Sequence, residues 1–375
     1  MQPPYRSYVL VSLDRIACNY RNVRAAVGPG VEVMAVVKAD AYGHGALAVS
    51  RTLVGEGAKW LAVSSVDEGV ALRAAGIAVR ILVMAGFLPQ EREAVVEHDL
   101  TPTAHSLDDI AELDRMAGRA GRALAFHLKI DSGMGRLGTR AQPAEIVAAL
   151  SALRHARLEG LMTHFASAAD FTSPQTDQQL ARFQACLAAL GEAGMSVDCV
   201  HTSSTNAIGY ARKDAWHNMV RAGHALYGYV SPARGAGPGQ ILDVQPALTW
   251  KAKILAIKDI PEGTLVGYGG TFRAPAAMRI AILGVGYADG VFHRLSNRGK
   301  VIAAGQIVPI VGTISMDLTT IDVSRAPELK PGDDVTLLGT EGDVRLDAQQ
   351  IARAAGTISY NILSSISARV RRVYV

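Results

Sequence analysis

The sequence is short of cysteine, of long apolar runs and of excess charge, and each shortage removes a class of protein. Three cysteines occur among 375 residues, Cys18, Cys186 and Cys199. Their number is odd and their spacing wide, so neither a disulfide framework nor a Cys-x-x-Cys metal site is indicated. Such use of cysteine suits a reducing compartment. The opening stretch, MQPPYRSYVLVSLDRI, holds no apolar run of signal-peptide length. No run of about 18 apolar residues appears anywhere, so no membrane-spanning helix is expected. Excess charge of one sign is also small: 38 Lys and Arg stand against 34 Asp and Glu, a net +4. The densest basic cluster, Arg369, Arg371 and Arg372, is equally a solvated strand end, so no nucleic-acid surface is indicated. There is no internal repeat and no low-complexity tract. The expectation is a soluble cytoplasmic protein without nucleic-acid or membrane partners.

Hydrophobic residues, at 49%, suffice for a full-sized core. In the first two-thirds, short apolar runs alternate with amphipathic segments. Strand candidates are VEVMAVVK (31–38), WLAVSS (60–65), RILVMAG (80–86), LTPTAHS (100–106), LAFHLKIDS (124–132), LEGLMTHFA (158–166), CVHTSS (199–204) and MVRAG (219–223). Helical segments lie between most of them. Eight strands buried on both faces and separated by helices predict a parallel sheet closed into a barrel, although periodicity alone leaves an open sheet possible. At ARGAGPGQ (233–240) the chain turns Gly/Pro-rich, and beyond it come short strands with turn punctuation such as PEG and PGDD. The fold class predicted is α/β: an N-terminal (β/α)8 TIM-type barrel over 1–240, then a mainly β C-terminal domain over 241–375.

In such a barrel the site lies at the C-terminal ends of the strands. Lys38, Asp131, Arg136, His164, His201 and Arg221 all stand at or just beyond those ends, and would converge on one face. A lysine ending a buried strand is desolvated, which lowers its pKa and suits it to a Schiff base with an aldehyde cofactor. The plain alternative is a lysine reaching to solvent. Tyr42, in AYGHG, offers a hydroxyl to a phosphate, or is simply part of a turn. TSSTNA (202–207) and RAGHALYG (221–228) offer hydroxyls and amides where barrels hold phosphate groups, though Ser/Thr clusters also cap helices. Arg221 cannot be deprotonated. Aimed at a pyridine nitrogen, it would leave that nitrogen unprotonated; otherwise it is an ion-pair residue. KIDSGMGRLG places Lys129, Asp131 and Arg136 together. There Arg136 suits a carboxylate, unless it pairs with Asp131.

VVKADAYGHG, HLKIDSGMGRLG, THFASA, VRAGHALYG, VGYGGTF, GVGYADG, VGTISMD and TISYNILSSISARV, in that order, resemble the alanine racemase family over essentially the whole chain. The resemblance implies a pyridoxal 5′-phosphate enzyme that interconverts L- and D-alanine with two bases, Lys38, which also holds the cofactor, and Tyr268. It implies a homodimer in which Tyr268 serves the partner's site. Arg136 and the backbone of Met316 are similar to the family's substrate-carboxylate contacts, and Lys129 to a lysine that can be carbamylated and supports Arg136. His164 and Arg221 resemble the residues beside the cofactor ring. Tyr42, Ser204, Thr205, Gly223, His224 (through its amide) and Tyr360 resemble the phosphate contacts. His201 and Tyr287 resemble supporting residues, with His201 and Arg136 expected to lend Tyr268 positive charge.

The chain departs from the family pattern in a few places. Its phosphate segment has Ser204 and Thr205 where asparagine and serine are usual. Thr313 and His293 replace arginines, and Asp170 comes one residue late. In the family these last three places border the substrate entrance, so an altered gate is expected. A serine or broader-specificity racemase is the alternative on this scaffold. A basic-amino-acid decarboxylase is disfavoured, because no cysteine lies beyond residue 200. A non-catalytic pyridoxal-phosphate carrier would lack the β domain, Tyr268 and Met316. A dinucleotide enzyme would rest on GVGYADG, which does not fit the G-x-G-x-x-G spacing.

Overall fold

The computed structural model describes residues 3–375. Its first strands are β1 (Ser7–Val11), β2 (Glu32–Val36), β3 (Trp60–Val63), β4 (Arg80–Val83), β5 (Thr101–Ala104), β6 (Leu124–Lys129), β7 (Ala156–Met162), β8 (Cys199–His201) and β9 (Met219–Ala222). β2 to β9 make one eight-stranded sheet in the order β8-β7-β6-β5-β4-β3-β2-β9, with every pair parallel. The ends of this sheet meet without a ladder. A single parallel bridge joins Ser204 to Arg221, whose N–H donates to the Ser203 carbonyl at 2.9 Å. The sheet is thus a nearly closed (β/α)8 barrel of TIM type. β3 (WLAV) and β5 (TPTA) are buried at every position. Strands packed on both faces have no solvated side, which is why they read as continuous runs rather than alternations.

Two of the barrel's helices start on serine caps. Val66–Ala74 opens on Ser65, whose hydroxyl accepts from the Glu68 N–H at 3.4 Å, while the Glu68 carboxylate accepts from Ser64 N–H at 2.7 Å. Leu107–Ala120 opens on Ser106 and ends at Gly121, in the left-handed region. Gln175–Glu192 buries Leu180, Phe183, Cys186 and Leu190, a stripe at helical spacing.

A second sheet of nine strands is built around β10 (Leu248–Ile260). β1 belongs to this sheet. It pairs antiparallel with β10 and parallel with the C-terminal strand Arg371–Tyr374. By their contacts the two compact units are therefore discontinuous along the sequence. One comprises Arg15–Ala41 and Ala46–Gln245; the other comprises the N-terminal residues to Asp14, Tyr42–Gly45 and Pro246–Val375. A single cut at residue 240 counts β1 with the barrel, whereas its hydrogen bonds run to the C-terminal sheet. Among the described residues no helix is long and apolar enough to cross a membrane.

Candidate active site

The polar residues read from the sequence gather at the C-terminal end of the barrel. Lys38 follows β2, Lys129 ends β6, His164 lies beyond β7, His201 ends β8, and Arg221 is in β9. Burial pulls Lys38 below the ordinary lysine value, helped by Arg136 and Arg221 and opposed by Glu68. Burial, then Arg221 and Arg136, bring Lys129 down to about 8 against the opposing Asp131. Burial and the same four cations hold His164 well below the usual histidine value. Gathered positive charge with so little acid among it is a site for anions, and a phosphate together with a carboxylate suits it.

Lys38 is delivered by unusual backbone. Ala39, Asp40, Ala41 and Tyr42 have φ between +51° and +54°, one left-handed turn built without glycine, and Gly43 follows at +81°. Each L-residue there costs roughly 1–2 kcal/mol. The turn is tied to its surroundings by Ala41 N–H to the Val37 carbonyl at 2.8 Å, Ala39 N–H to Glu68 Oε1 at 2.6 Å, and Ala46 N–H to Asp40 Oδ1 at 2.7 Å.

The sequence left open whether Arg136 pairs with Asp131. The carboxylate of Asp131 instead accepts from the amides of Gly133, Met134 and Gly135 at 2.9–3.2 Å and from Arg140 Nε at 2.7 Å. Arg136 is exposed, and its guanidinium makes no ion pair or hydrogen bond among the described residues.

Arg221, 2% exposed, has both terminal nitrogens committed. Nη1 donates to His201 Nδ1 at 2.8 Å and to the His201 carbonyl at 2.6 Å. Nη2 serves the Thr163 carbonyl at 2.6 Å, the Thr202 carbonyl at 3.0 Å and His164 Nδ1 at 3.2 Å. Among the described residues its Nε–H has no acceptor, and is the donor left for a ligand. Burial first, then Arg221 and His127, hold His201 well below the usual histidine value, and its Nδ1 accepts from the Arg221 guanidinium, an arrangement that suits a neutral ring rather than the source of positive charge expected for Tyr268. Thr205 Oγ1 accepts from the amides of Gly223 at 3.2 Å and Ala225 at 3.1 Å, whereas the Ser204 hydroxyl has no partner among the described residues. His224, buried, opens the short turn that follows Gly223.

The other unit carries Tyr42, Tyr268, Tyr287, Met316 and Tyr360. The rings of Tyr42 and Tyr360 lie 6.1 Å apart, and burial pushes the Tyr42 hydroxyl above its ordinary pKa. Tyr268 opens a tight turn after Gly267 and is 76% exposed. Gly267 is at φ +76°, with Thr313 N only 2.9 Å from where a Cβ would stand, so no side chain fits there. Thr313 Oγ1 donates to the Tyr268 carbonyl at 2.9 Å and lies 2.9 Å from Thr271 Oγ1, which also accepts from Asn297 Nδ2 at 3.0 Å. The residue expected at an altered gate is therefore bonded to the tyrosine's turn. Met316 offers an amide N–H with no acceptor among the described residues, while its carbonyl accepts from Ala288 at 3.0 Å. Tyr287 meets His293 edge-on, centroids 6.2 Å apart. In the barrel unit, Asp170 accepts from the Thr172 amide at 2.9 Å and hydroxyl at 2.6 Å, closing its own loop.

Sequence reading passed over Glu68, Arg140, His127 and Glu159. A signal for His127 existed: alternation along HLK puts His127 and Lys129 on one face of β6.

Sequence profiles of the N-terminal and C-terminal domains of alanine racemase match residues 11–232 and 247–374. The alanine racemase of Halothermothrix orenii is 39% identical over 365 residues, covering 97% of this chain and 95% of that protein. The Bacillus anthracis alanine racemase, solved with bound L-Ala-P, aligns with a TM-score of 0.90 at 34% identity, over 100% of this chain and 96% of that one. The Bartonella henselae alanine racemase, solved with covalently bound pyridoxal phosphate, gives 0.88 at 27% identity, over 99% and 100%. Likeness of this extent, running through both units, means that the chain belongs to the alanine racemase family of pyridoxal-phosphate-dependent isomerases.

Proposed function

We propose that this chain interconverts L- and D-alanine, with pyridoxal 5′-phosphate seated at the C-terminal end of the barrel. The observation that carries this reading is the convergence of Lys38, Lys129, Arg136 and Arg221 there, with Asp131 drawn off to Arg140. Bound there, the cofactor supplies an electron-withdrawing ring that delocalises the charge left when the α-proton departs.

The chain's own residues divide the remaining work. Lys38, with its lowered pKa, would hold the cofactor through its aldehyde and exchange the α-proton on one face. With the cofactor bound, Arg221 would offer its uncommitted Nε–H to the ring nitrogen, and His164 would flank the ring. Ser204, Thr205, Gly223 and His224 would hold the phosphate, and Tyr42 and Tyr360 are the phosphate contacts that the family resemblance implies for the other unit. The unpaired Ser204 hydroxyl is free to donate, and Thr205, whose oxygen is occupied by two amides, still has its own O–H. Arg136, supported by Lys129 once that lysine is carbamylated and so no longer repels it, and the free amide of Met316 would take the substrate carboxylate.

Tyr268 exchanges the proton on the opposite face. Tyr268, Met316 and Tyr287 are 76%, 53% and 44% exposed, a concentration of large apolar side chains that suits a protein interface. We assign them to the site of a second copy in a homodimer. The D-alanine formed supplies peptidoglycan, in the cytoplasm.

The test is α-proton exchange in deuterium oxide, followed by NMR with chiral analysis, for both enantiomers of alanine and serine. Exchange with inversion for alanine alone is expected. Faster exchange for serine would move the substrate assignment. No exchange with the cofactor bound would refute turnover and leave a carrier. Tyr268→Phe is expected to keep cofactor binding and lose turnover by about 10²–10⁴-fold. Full activity in that variant would remove Tyr268 from the chemistry.

A further inference from the structure

Behind Arg221 a file of buried side chains runs down through the barrel. Arg221 Nη1 is 2.8 Å from His201 Nδ1, and His201 Nε2 is 2.8 Å from His127 Nδ1. His127 Nε2 stands 3.6 Å from Glu159 Oε2, outside hydrogen-bond length but facing that carboxylate. Arg80 donates to both Glu159 oxygens, and Arg157 Nη2 reaches Oε1 at 3.3 Å. Both imidazoles are 0% exposed and Glu159 is 5% exposed.

The file admits one arrangement of protons. A guanidinium only donates, so His201 Nδ1 must be the acceptor. The one proton of neutral His201 is then on Nε2, and His127 Nδ1 must accept it. The proton of His127 is left on Nε2, aimed at Glu159. Protonating either ring a second time would set two N–H groups against each other. The charges around the file agree with this. Burial lowers His127 despite Glu159, and Arg80 and Arg221 add to the lowering. Burial opposes the charge of Glu159, but His127 and Arg80 hold its carboxyl at about 2. The backbone accommodates the ring as well. A Cβ on Gly160 would lie 2.5 Å from His127 Cγ, and the β6–β7 register is interrupted between Phe126 and His127.

We propose that His127, faced by Glu159, is a positioning residue for Arg221. By fixing the tautomer of His201 it fixes the guanidinium, and so directs Nε–H to the cofactor ring. The assignment rests on the proposed function only for what Arg221 faces.

The test begins with long-range ¹H–¹⁵N correlation NMR of histidine-labelled holoenzyme. His127 and His201 should both be neutral with the proton on Nε2, and neither should titrate between about pH 5 and 8, the range in which an ordinary histidine does. A proton on Nδ1 of either ring, or titration of either, overturns the lock. His127→Gln keeps an acceptor for His201 and a donor for Glu159; His127→Leu keeps neither. His127→Leu should lower kcat by about ten- to a hundredfold, the consequence of leaving a buried N–H unpaired. It should also displace the cofactor's visible absorption band while leaving the KM for alanine near its original value. His127→Gln should restore both. Equal losses in the two variants, or an unmoved band in His127→Leu, overturn the positioning role. If His127→Leu fails to fold, the NMR result and the His127→Gln spectrum still decide. Failure of the unmodified protein to racemise alanine would refute the functional reading alone, since the tautomers are read without turnover.

Discussion

The left-handed turn after Lys38 stores strain, and Ala39→Gly should release part of it. Ala39 has φ +51°, its side chain is exposed, and its backbone N–H bonds Glu68. Removing the Cβ therefore loses no burial and no bond. The conformational relief is roughly 1–2 kcal/mol. The extra freedom that glycine brings to the unfolded chain takes back roughly 0.5–1 kcal/mol. The net gain spans about 0–1.5 kcal/mol, and its mid-range of about 0.75 kcal/mol raises the melting temperature of a unit of this size by about 1.5–3 °C. Ala39→Val, β-branched at the same φ, should lower it. Thermal and urea unfolding of the three proteins side by side measure both shifts. Lys38 is the next residue, so relief of the turn should loosen the lysine's placement and reduce kcat several-fold, a gain in stability set against activity. A lower melting temperature for Ala39→Gly, with Ala39→Val unchanged, would refute the claim that strain is held here.

Other consequences are equally specific. Thr313→Val removes the hydroxyl that donates to the Tyr268 carbonyl. Racemisation should fall about tenfold with cofactor content unchanged, consistent with the loss of one hydrogen bond, and Thr313→Ser should restore it. Arg140→Ala releases Asp131 to compete for Arg136, so the KM for alanine should rise while kcat changes little. Lys129 has a folded pKa of about 8, below the ordinary lysine value. The unfolded chain therefore binds more protons between about pH 8 and 10.4, and this group's contribution to stability must rise with pH across that window. Lys129→Met should flatten that rise in pH-dependent unfolding and weaken alanine binding.

Much of the barrel was legible because its strands are buried on both faces, and apolar runs such as WLAV and RILV have no other economical place. Lys38, His164, His201 and Arg221 were legible as polar residues ending such runs. β1 was not, because YVLV is as apolar as any barrel strand and its partners lie more than 200 residues away. The choice between Arg136 and Arg140 as the partner of Asp131 was also hidden. It depends on how GMGRLG folds back on itself through three amides, which spacing does not reveal. His127 and Glu159 were overlooked because a lone histidine and a lone glutamate in apolar strands look alike until the barrel closes and sets them against one another.

The pairing of β1 also dictates an order of events during synthesis. Residues 7–11 leave the ribosome before the barrel does, yet their partners are β10 and a strand at 371–374. Val9 and Val11, both 0% exposed in the finished sheet, must remain uncovered while the whole barrel is made. At 5–20 residues per second that interval is about 12–50 s. The barrel can assemble in the meantime, while the segment leading into it stays a bare, sticky ribbon. In a cell, that ribbon is the natural place for a holding chaperone to bind.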